Sequence, residues 1–154
     1  MSRDAATDLG VLLNLAFAAF RQGLDAELAA TGFPDLGPSY GYVFRRLAEG
    51  ACSLSTLAQH LSMTAPGALK LVNEMVARGY VERADDATDG RVKLLLLTTR
   101  GRSALQQARD FHQRYEQALS ARLGEDAVAA TRRVLEAIVD HAPPAAPSRL
   151  PRPA

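Results

Sequence analysis

The sequence predicts a mainly α-helical fold with one small β-hairpin. Apolar residues recur at steps of three and four over most of the chain, which is typical of amphipathic helices, and one short region changes to a strand-like pattern. At 154 residues the chain can bury a core, and its single cysteine, Cys52, excludes an internal disulfide framework. No apolar run reaches the roughly 18–20 residues of a membrane span, and a signal-peptide pattern is missing. We therefore expect a soluble, cytoplasmic protein.

The first predicted helix runs from about Asp8 to Ala30. Its steps of three and four place one apolar stripe on a single face, and a second set widens that face. We expect one stripe to meet the chain's own core and the other to meet a second chain; the alternative is a single buried helix. The stripe is Leu9, Leu13, Phe17, Phe20, Leu24 and Leu28, and the second set is Val11, Leu12, Leu15 and Ala16.

Three shorter helices are predicted next. The first spans about Ser39 to Ala48, and a brief extended piece follows near Cys52. Ser55 is the expected N-cap of a short helix ending near Leu61, because a serine hydroxyl can accept a free N–H of the first turn.

The following helix is entered through a tight turn at residues 62–63. Thr64 is its expected N-cap, and Pro66 falls in the first turn, where a missing N–H does no harm. The helix is expected to end near Arg78, with Gly79 as its stop.

A β-hairpin is predicted from the change of pattern after the glycine. Its strands are Tyr80–Arg83 and Val92–Thr98, joined by the polar loop Ala84–Arg91. Two short helices joined tightly and followed by a hairpin form a winged helix-turn-helix, whose second helix is positioned for the DNA major groove.

Two more helices complete the pattern. Thr98 or Thr99 can cap a long helix from about residue 100 to 122, and Gly124 separates it from a last helix ending near His141. The proline-rich tail, 142–154, is expected to be disordered. We assign 37–99 to a winged helix-turn-helix lobe, and 8–36 together with 100–141 to N- and C-terminal dimerisation helices.

The stretch from 57 to 101 resembles the MarR family of bacterial regulators. The matching pieces are LAQHLSMT (57–64), LVNEMVARGYVER (71–83) and DDATDGRVKLLLLTTRG (85–101), and the wing pattern is Asp86, Asp89, Arg91, Leu97, Thr98 and Gly101. Because the predicted helix order outside this stretch also agrees with that of the family, the resemblance covers roughly residues 8 to 141. Many relatives have proline where Ala87 stands and a basic residue where Gly90 stands. The resemblance implies a homodimer that binds double-stranded DNA at a pseudo-palindromic operator, usually as a repressor.

Arg91 is the first candidate for DNA contact, because a guanidinium at a wing tip can enter the narrow minor groove. The resemblance implies that Asp89 holds this arginine side chain in place. Lys70 and Asn73 lie on the second helix of the pair, the recognition helix. Lys70 can contact guanine or a phosphate, and Asn73 can contact adenine. For both residues, the alternative is a helix face that meets only solvent. The full set of predicted DNA-binding residues is Ser62, Thr64, Lys70, Asn73, Asp89, Arg91 and Lys93.

Aromatic side chains cluster near the end of the first helix and in the second. The resemblance places an effector crevice there, suited to a small lipophilic or aromatic acid, with simple core packing as the alternative. The predicted ligand-binding residues are Phe17, Phe20, Arg21, Tyr40, Tyr42 and Phe44.

Other classes of function have weaker support. The net charge is only +1, and the first turn of the recognition helix is small and apolar, which favours a winged-helix protein-interaction module without DNA recognition as the alternative function. A PadR-type regulator has a similar topology and is a second alternative. We find no metal-ligand spacing and no nucleophile–base motif, so we expect neither a cofactor, nor a metal, nor an enzyme. Cys52 is expected to fill core space, with a redox switch as the alternative.

Overall fold

A computed structural model describes residues 8–141, and this part of the chain contains six helices and three strands. The predicted mainly α fold with a small β-hairpin wing is confirmed. The predicted tail, 142–154, lies outside the described residues. The chain divides into two compact units, one ending at Leu36 and the other beginning at Gly37. The elements are α1 (Leu9–Ala30), α2 (Tyr40–Ala48), β1 (Cys52–Ser53), α3 (Leu54–His60), α4 (Ala65–Ala77), β2 (Val81–Asp85), β3 (Lys93–Leu97), α5 (Thr99–Leu123) and α6 (Glu125–Asp140).

The first unit consists mainly of α1, a 22-residue helix. Leu24 and Leu28, in its C-terminal half, are buried. Its N-terminal half exposes five large apolar side chains. These are Leu9, Val11, Leu12, Leu15 and Phe17. The helix ends where Gly32 adopts a φ of +96° and the Phe33 N–H donates to the Leu28 carbonyl at 2.8 Å.

The second unit is built on an aromatic cluster formed by Tyr40, Phe44 and Tyr80. Their ring centroids lie 5.7 to 6.2 Å apart, with edge-to-face interplanar angles of 63° to 79°. All three rings are almost completely buried. Aromatic pairs in this geometry contribute about 0.5–1.5 kcal/mol each beyond the burial of their area. The cluster therefore joins α2 to the chain that leads into β2.

Helices α3 and α4 pack against each other and are joined by a tight turn. Ser53, not Ser55, is the N-cap of α3, because the Ser53 Oγ accepts the Thr56 N–H at 3.2 Å. The prediction for this cap was wrong by two residues. In the turn, Ser62 has a φ of +50°, and the Met63 N–H donates to the Ala58 carbonyl at 2.9 Å.

Both predicted boundary signals of α4 are confirmed. The Thr64 Oγ1 accepts the Gly67 N–H at 3.3 Å, and a proline occupies the first turn. The helix ends at Ala77, and Gly79 then turns the chain with a φ of +75°. A residue with a Cβ adopts this left-handed conformation only with strain, which explains the glycine.

The hairpin strands β2 and β3 are antiparallel, and their register runs from Val81 opposite Leu97 to Asp85 opposite Lys93. The hairpin prediction is confirmed, although the first strand extends to Asp85. The short strand β1 pairs with the other side of β3, so the sheet order is β1-β3-β2. The side chains of Leu95 and Leu97 on β3 are buried. Strand β3 therefore anchors the wing in the core.

Thr98 forms a junction between the end of β3 and the start of α5. Its Oγ1 donates to the Gly79 carbonyl at 2.6 Å and accepts the Gly101 N–H at 3.0 Å. Its own N–H donates to the Tyr80 carbonyl at 3.1 Å. Of the two predicted caps, Thr98 is therefore the one used. The first turn of α5 lies directly on the segment between α4 and β2.

Helices α5 and α6 are separated by Gly124, which has a φ of +89°, as the sequence predicts. Arg132 of α6 donates to Glu116 of α5 at 2.6 Å. Helix α6 buries no residue within the described chain, although its hydrophobic side chains form an amphipathic pattern. The exposed apolar residues of this pair are Tyr115, Leu123, Val134, Leu135, Ile138 and Val139.

The remaining sequence predictions concern Cys52, metals and membranes. Cys52 is buried, and its burial raises the thiol pKa while nearby Arg46 opposes the shift. The thiol is therefore protonated at neutral pH, as expected of core filler. Residues 8–141 hold no cluster of three metal-ligating side chains. No helix in this range is long and apolar enough to cross a membrane.

Candidate nucleic-acid interface

Helix α4 presents a solvent-exposed face that begins at its capped N-terminus. Thr64 caps this end, and Lys70 and Asn73 are exposed further along the helix. The Lys70 ammonium makes no hydrogen bond or ion pair with any other described residue, so its charge is available to a ligand. The first-turn N–H groups add the partial positive charge of a helix N-terminus. An anionic surface such as a phosphate backbone would find both groups on one face.

Asn73 is not a free amide. Its Oδ1 accepts a hydrogen bond from the Arg83 guanidinium of β2 at 2.6 Å. This contact ties the recognition helix to the wing, and sequence reasoning missed it because the two residues lie ten positions apart on different elements. A bidentate contact with adenine uses both the oxygen and the amino group of an asparagine. Because Arg83 already engages this oxygen, a bidentate contact with adenine would have to share the oxygen or replace the bond to Arg83.

Leu69 is a residue of this face that sequence reasoning also missed. It lies beside Lys70 on α4, and 43% of it is exposed. It lies off the apolar stripe of α4, a signal that could have found it, but leucine was not considered among the residue types that contact DNA. The apolar groups on base edges are the thymine methyls in the major groove.

The wing loop, 86–92, is ordered by its own aspartates. The Asp86 Oδ1 accepts the Thr88 N–H and hydroxyl, both at 2.7 Å, and the Asp89 N–H at 3.4 Å. The loop is closed by the Asp86 N–H donating to the Val92 carbonyl at 3.0 Å. These bonds fix the backbone that carries Arg91.

The contact between Asp89 and Arg91 differs from the one that the resemblance implies. The Asp89 Oδ1 accepts the backbone N–H of Arg91 at 3.0 Å and does not pair with its guanidinium. Within residues 8–141, the guanidinium has no hydrogen-bonding or ionic partner. The aspartate thus shapes the wing tip, while the arginine side chain extends into solvent with its charge unpaired.

The other two predicted polar residues have different surroundings. Lys93 forms an ion pair with Asp85, which lies opposite it in the register at the loop end of the hairpin. Its charge is therefore partly neutralised, unlike that of Lys70 and Arg91. Ser62 is exposed in the turn before α4 and holds that turn with its backbone: its N–H donates to the Gln59 carbonyl at 3.1 Å.

The Asp86 carboxyl should titrate below its ordinary range. The Thr88 hydroxyl is the main cause of the lowered pKa, followed by the backbone N–H of Thr88, because both bonds favour the charged form. The contribution of the Asp86 carboxylate to loop order is therefore fully present above the pKa that Asp86 has in the unfolded chain. It is lost as the pH falls through the lower pKa of Asp86 in the folded state.

We expect Thr88→Val to raise the Asp86 pKa and Thr88→Ser to leave it nearly unchanged. A carboxyl-detected NMR titration measures this, and equal values for the valine variant and the parent would contradict it.

The predicted ligand-binding residues fall in both units and are described unit by unit. In the first, 62% of Phe17 is exposed, Phe20 is half-buried, and Arg21 donates to Asp25 at 2.8 Å. In the second, the buried Tyr40 and Phe44 belong to the aromatic cluster, and Tyr42 is half-buried. Packing thus accounts for two of the six residues, and ligand contact stays a prediction for all of them.

Solved structures share this fold. An E. coli MarR variant complexed with operator DNA is 23% identical over 85% of this chain and 93% of its own, with a TM-score of 0.65. The repressor CouR, bound to a 23-mer DNA duplex, is 25% identical over 86% of this chain and 92% of its own, with a TM-score of 0.66. An S. aureus MepR variant bound to an oligodeoxyribonucleotide is 20% identical over 88% of this chain and 98% of its own, with a TM-score of 0.61. A search of curated proteins gives no match.

The helix pair, the tight turn and the hairpin together form a winged helix-turn-helix. A sequence model of the MarR family matches residues 35–92, which include α2, the helix pair, β2 and the wing loop. This region of the chain is therefore similar to the winged-helix region of MarR-family regulators.

Proposed function

We propose that the protein is a homodimeric, sequence-specific DNA-binding regulator that acts as a repressor at a pseudo-palindromic operator. The unpaired Arg91 guanidinium on the ordered wing tip carries this proposal. An ordered loop with an unpaired cation at its end suits a narrow, electronegative minor groove. Helix α4 would occupy the adjacent major groove, with Lys70 contacting guanine or phosphate.

The low net charge is compatible with this function because the cations that matter are not neutralised within the chain. Lys70 and Arg91 have no acidic partner among the described residues, whereas Lys93 does. A few such groups give an affinity that falls with salt, but less steeply than for a strongly basic protein.

Homodimerisation is supported by the exposed apolar side chains of α6. Val134, Leu135, Ile138 and Val139 are each 39% to 51% exposed, and the helix buries nothing within the described chain. Exposed apolar clusters of this kind mark interaction surfaces. A two-fold dimer would present two copies of α4 about one helical turn of DNA apart, near 10 bp.

We expect Ile138→Asp to convert the dimer to a monomer, because the dimer would bury a carboxylate without a partner. Light scattering coupled to size exclusion gives the mass. The control is Glu136→Ala, which replaces an exposed polar residue of the same helix; this variant should stay dimeric. A parent protein that is monomeric at micromolar concentration would refute the dimer.

DNA binding is tested by fluorescence anisotropy with the DNA upstream of the protein's own gene. We expect saturable binding to one palindromic segment, at least about a thousand-fold tighter than binding to unrelated duplex at the same salt. Equal affinity for both duplexes would exclude sequence-specific regulation. It would leave the winged-helix protein-interaction module as the better explanation of the apolar first turn of α4.

Release by a small lipophilic or aromatic acid is a further part of the proposal. Such a ligand must bind the DNA-free form more tightly than the DNA-bound form to shift the population. A panel of aromatic acids should give a thermal shift in the free protein and lower its DNA affinity. No shift and no release across the panel would remove this part of the proposal.

Leu69 is expected to contribute to sequence preference by contacting thymine methyl groups. Replacing operator thymines with uracil, one position at a time, removes only the methyl. We expect one or two positions to weaken binding about three- to tenfold, and this difference to disappear in Leu69→Ala. Anisotropy titrations of the four combinations measure the coupling. If the loss on uracil substitution is the same in both proteins, Leu69 does not read thymine.

A further inference from the structure

We propose that Arg83 binds a backbone phosphate between the recognition helix and the wing, and that Asn73 positions Arg83 instead of reading a base. The inference rests on the proposed DNA binding and deepens it by assigning roles to two side chains. Arg83 lies on β2 and is not one of the residues that the sequence predicts to contact DNA. Its guanidinium donates to the Asn73 Oδ1 of α4 at 2.6 Å. This hydrogen bond joins the two elements that are expected to meet the duplex.

The position of Arg83 follows from the strand that carries it. Side chains alternate along a strand, so Val81 and Arg83 lie on the same side of β2. Val81 is buried, whereas Arg83, two residues closer to the wing loop, is exposed. Because β2 packs against α4, the long Arg83 side chain reaches the solvent-exposed face of that helix. Lys70 precedes Asn73 by three residues and lies on the same face of α4.

The hydrogen bond orients Arg83 without neutralising it. Its acceptor is an amide oxygen, which is uncharged, whereas a carboxylate in this place would cancel the charge of the guanidinium. Arg83 makes no ion pair with any residue in the described range, and most of its N–H donors remain available. A planar guanidinium that is already oriented can donate two parallel hydrogen bonds to a phosphate.

Arg83 lies where the backbone of a bound duplex would pass. With α4 in the major groove and the wing tip in the flanking minor groove, one sugar-phosphate strand runs between the two elements. The bond between Arg83 and Asn73 spans this same gap from β2 to α4. The guanidinium therefore faces the strand and neither groove, and we expect it to bind phosphate whatever the base sequence.

The salt dependence of DNA binding tests the role of Arg83. Anisotropy titrations of the full chain are made over a range of salt, with the DNA upstream of its own gene and with an unrelated duplex. For Arg83→Gln we expect the plot of log affinity against log salt to become shallower by about one per chain, or about two for a homodimer. Both duplexes should bind more weakly by the same factor, at least about fivefold at physiological salt.

Two further variants separate charge from structure. Arg83→Lys keeps the charge and should keep the slope of the parent. Arg122→Gln, the same loss of charge at an exposed position of α5, should also keep it. If Arg83→Gln keeps the parental slope, or if Arg83→Lys loses as much of it as Arg83→Gln does, Arg83 does not bind phosphate.

Asn73→Ala tests the positioning role. We expect it to weaken binding about threefold to every duplex, with the slope kept, because the charge of Arg83 remains while its orientation is lost. The ranking of operators with single base-pair changes should stay as in the parent. A preference that relaxes at one A·T pair would show that Asn73 reads adenine, and would overturn the positioning role.

Neutral methylphosphonates, placed one at a time in the operator, locate the contact. We expect positions on the strand between the two grooves to weaken the parent at least about threefold and to leave Arg83→Gln unaffected. Equal losses in both proteins at every position refute the contact.

Failure of this inference is distinguishable from failure of the proposed function. A parent that prefers the operator, with Arg83→Gln behaving identically, refutes the role of Arg83 alone. Equal parental affinity for both duplexes refutes the regulator, and the slopes on the unrelated duplex then decide the role of Arg83. A parent that binds neither duplex refutes both.

Discussion

Gly101→Ala is expected to lower the free energy of unfolding by about 2–3 kcal/mol, although alanine is the better helix former. A Cβ at this position in α5 would lie 2.2 Å from the carbonyl oxygen of Tyr80 and 3.3 Å from a Leu97 methyl. The oxygen cannot retreat freely, because it accepts the Thr98 N–H. Helix propensity alone would favour alanine by about 1 kcal/mol. Overpacking against fixed backbone typically costs about 1–3 kcal/mol, and this cost makes the net effect of Gly101→Ala on the free energy of unfolding destabilising.

Urea denaturation followed by circular dichroism measures this difference. The matched control is Gly41→Ala in α2, where a new Cβ meets no atom within 4 Å. We expect the control to be unchanged or up to about 1 kcal/mol more stable, because only propensity acts. A Gly101→Ala protein as stable as the parent would mean that the first turn of α5 is not held against the carbonyl of Tyr80.

Arg91→Ala is expected to weaken operator binding at least tenfold, or by about 1.4 kcal/mol, without affecting the fold. The guanidinium makes no hydrogen bond or ion pair with any described residue, so its removal leaves no group of the chain without a partner. The wing tip keeps its shape, because Asp89 holds the backbone N–H of Arg91 and not its side chain. The loss would come from the contact with the narrow groove.

The measurement is anisotropy with the operator at fixed salt, accompanied by thermal unfolding of each protein. Arg122→Ala, another exposed arginine outside the wing, is the control and should bind like the parent. Asp89→Ala is informative as a second variant, since it keeps the guanidinium and removes the bond that orders its backbone. Operator affinity unchanged in Arg91→Ala would remove the wing tip from the interface.

Local signals predicted the elements well, because each depends on one or two neighbouring residues. Thr64 caps α4, and Gly79 ends the turn after it; both follow from stereochemistry that is visible in the sequence. The cap of α3 could not be chosen in this way, since Ser53 and Ser55 have the same chemistry two positions apart. The difference is made by strand β1, which fixes Ser53 in an extended conformation opposite Leu94.

The candidate site was less predictable, because its character depends on contacts between distant residues. The sequence indicated Asn73 and Lys93 as free polar groups, but Arg83 engages the first and Asp85 the second. No local pattern distinguishes these two from Lys70, which has no partner in the described chain. Leu69 lies off the apolar stripe of α4, so the helical period does contain a signal for its exposure, but sequence reasoning did not use it.

The Thr98 junction has a mechanical consequence for regulation. One hydroxyl bridges the chain just beyond α4 and the opening turn of α5, and the Thr98 amide adds a second link to Tyr80. We therefore expect a displacement of the first turn of α5 to be transmitted to the C-terminal end of α4. Three hydrogen bonds on a single threonine thus connect the end of one helix with the beginning of the other.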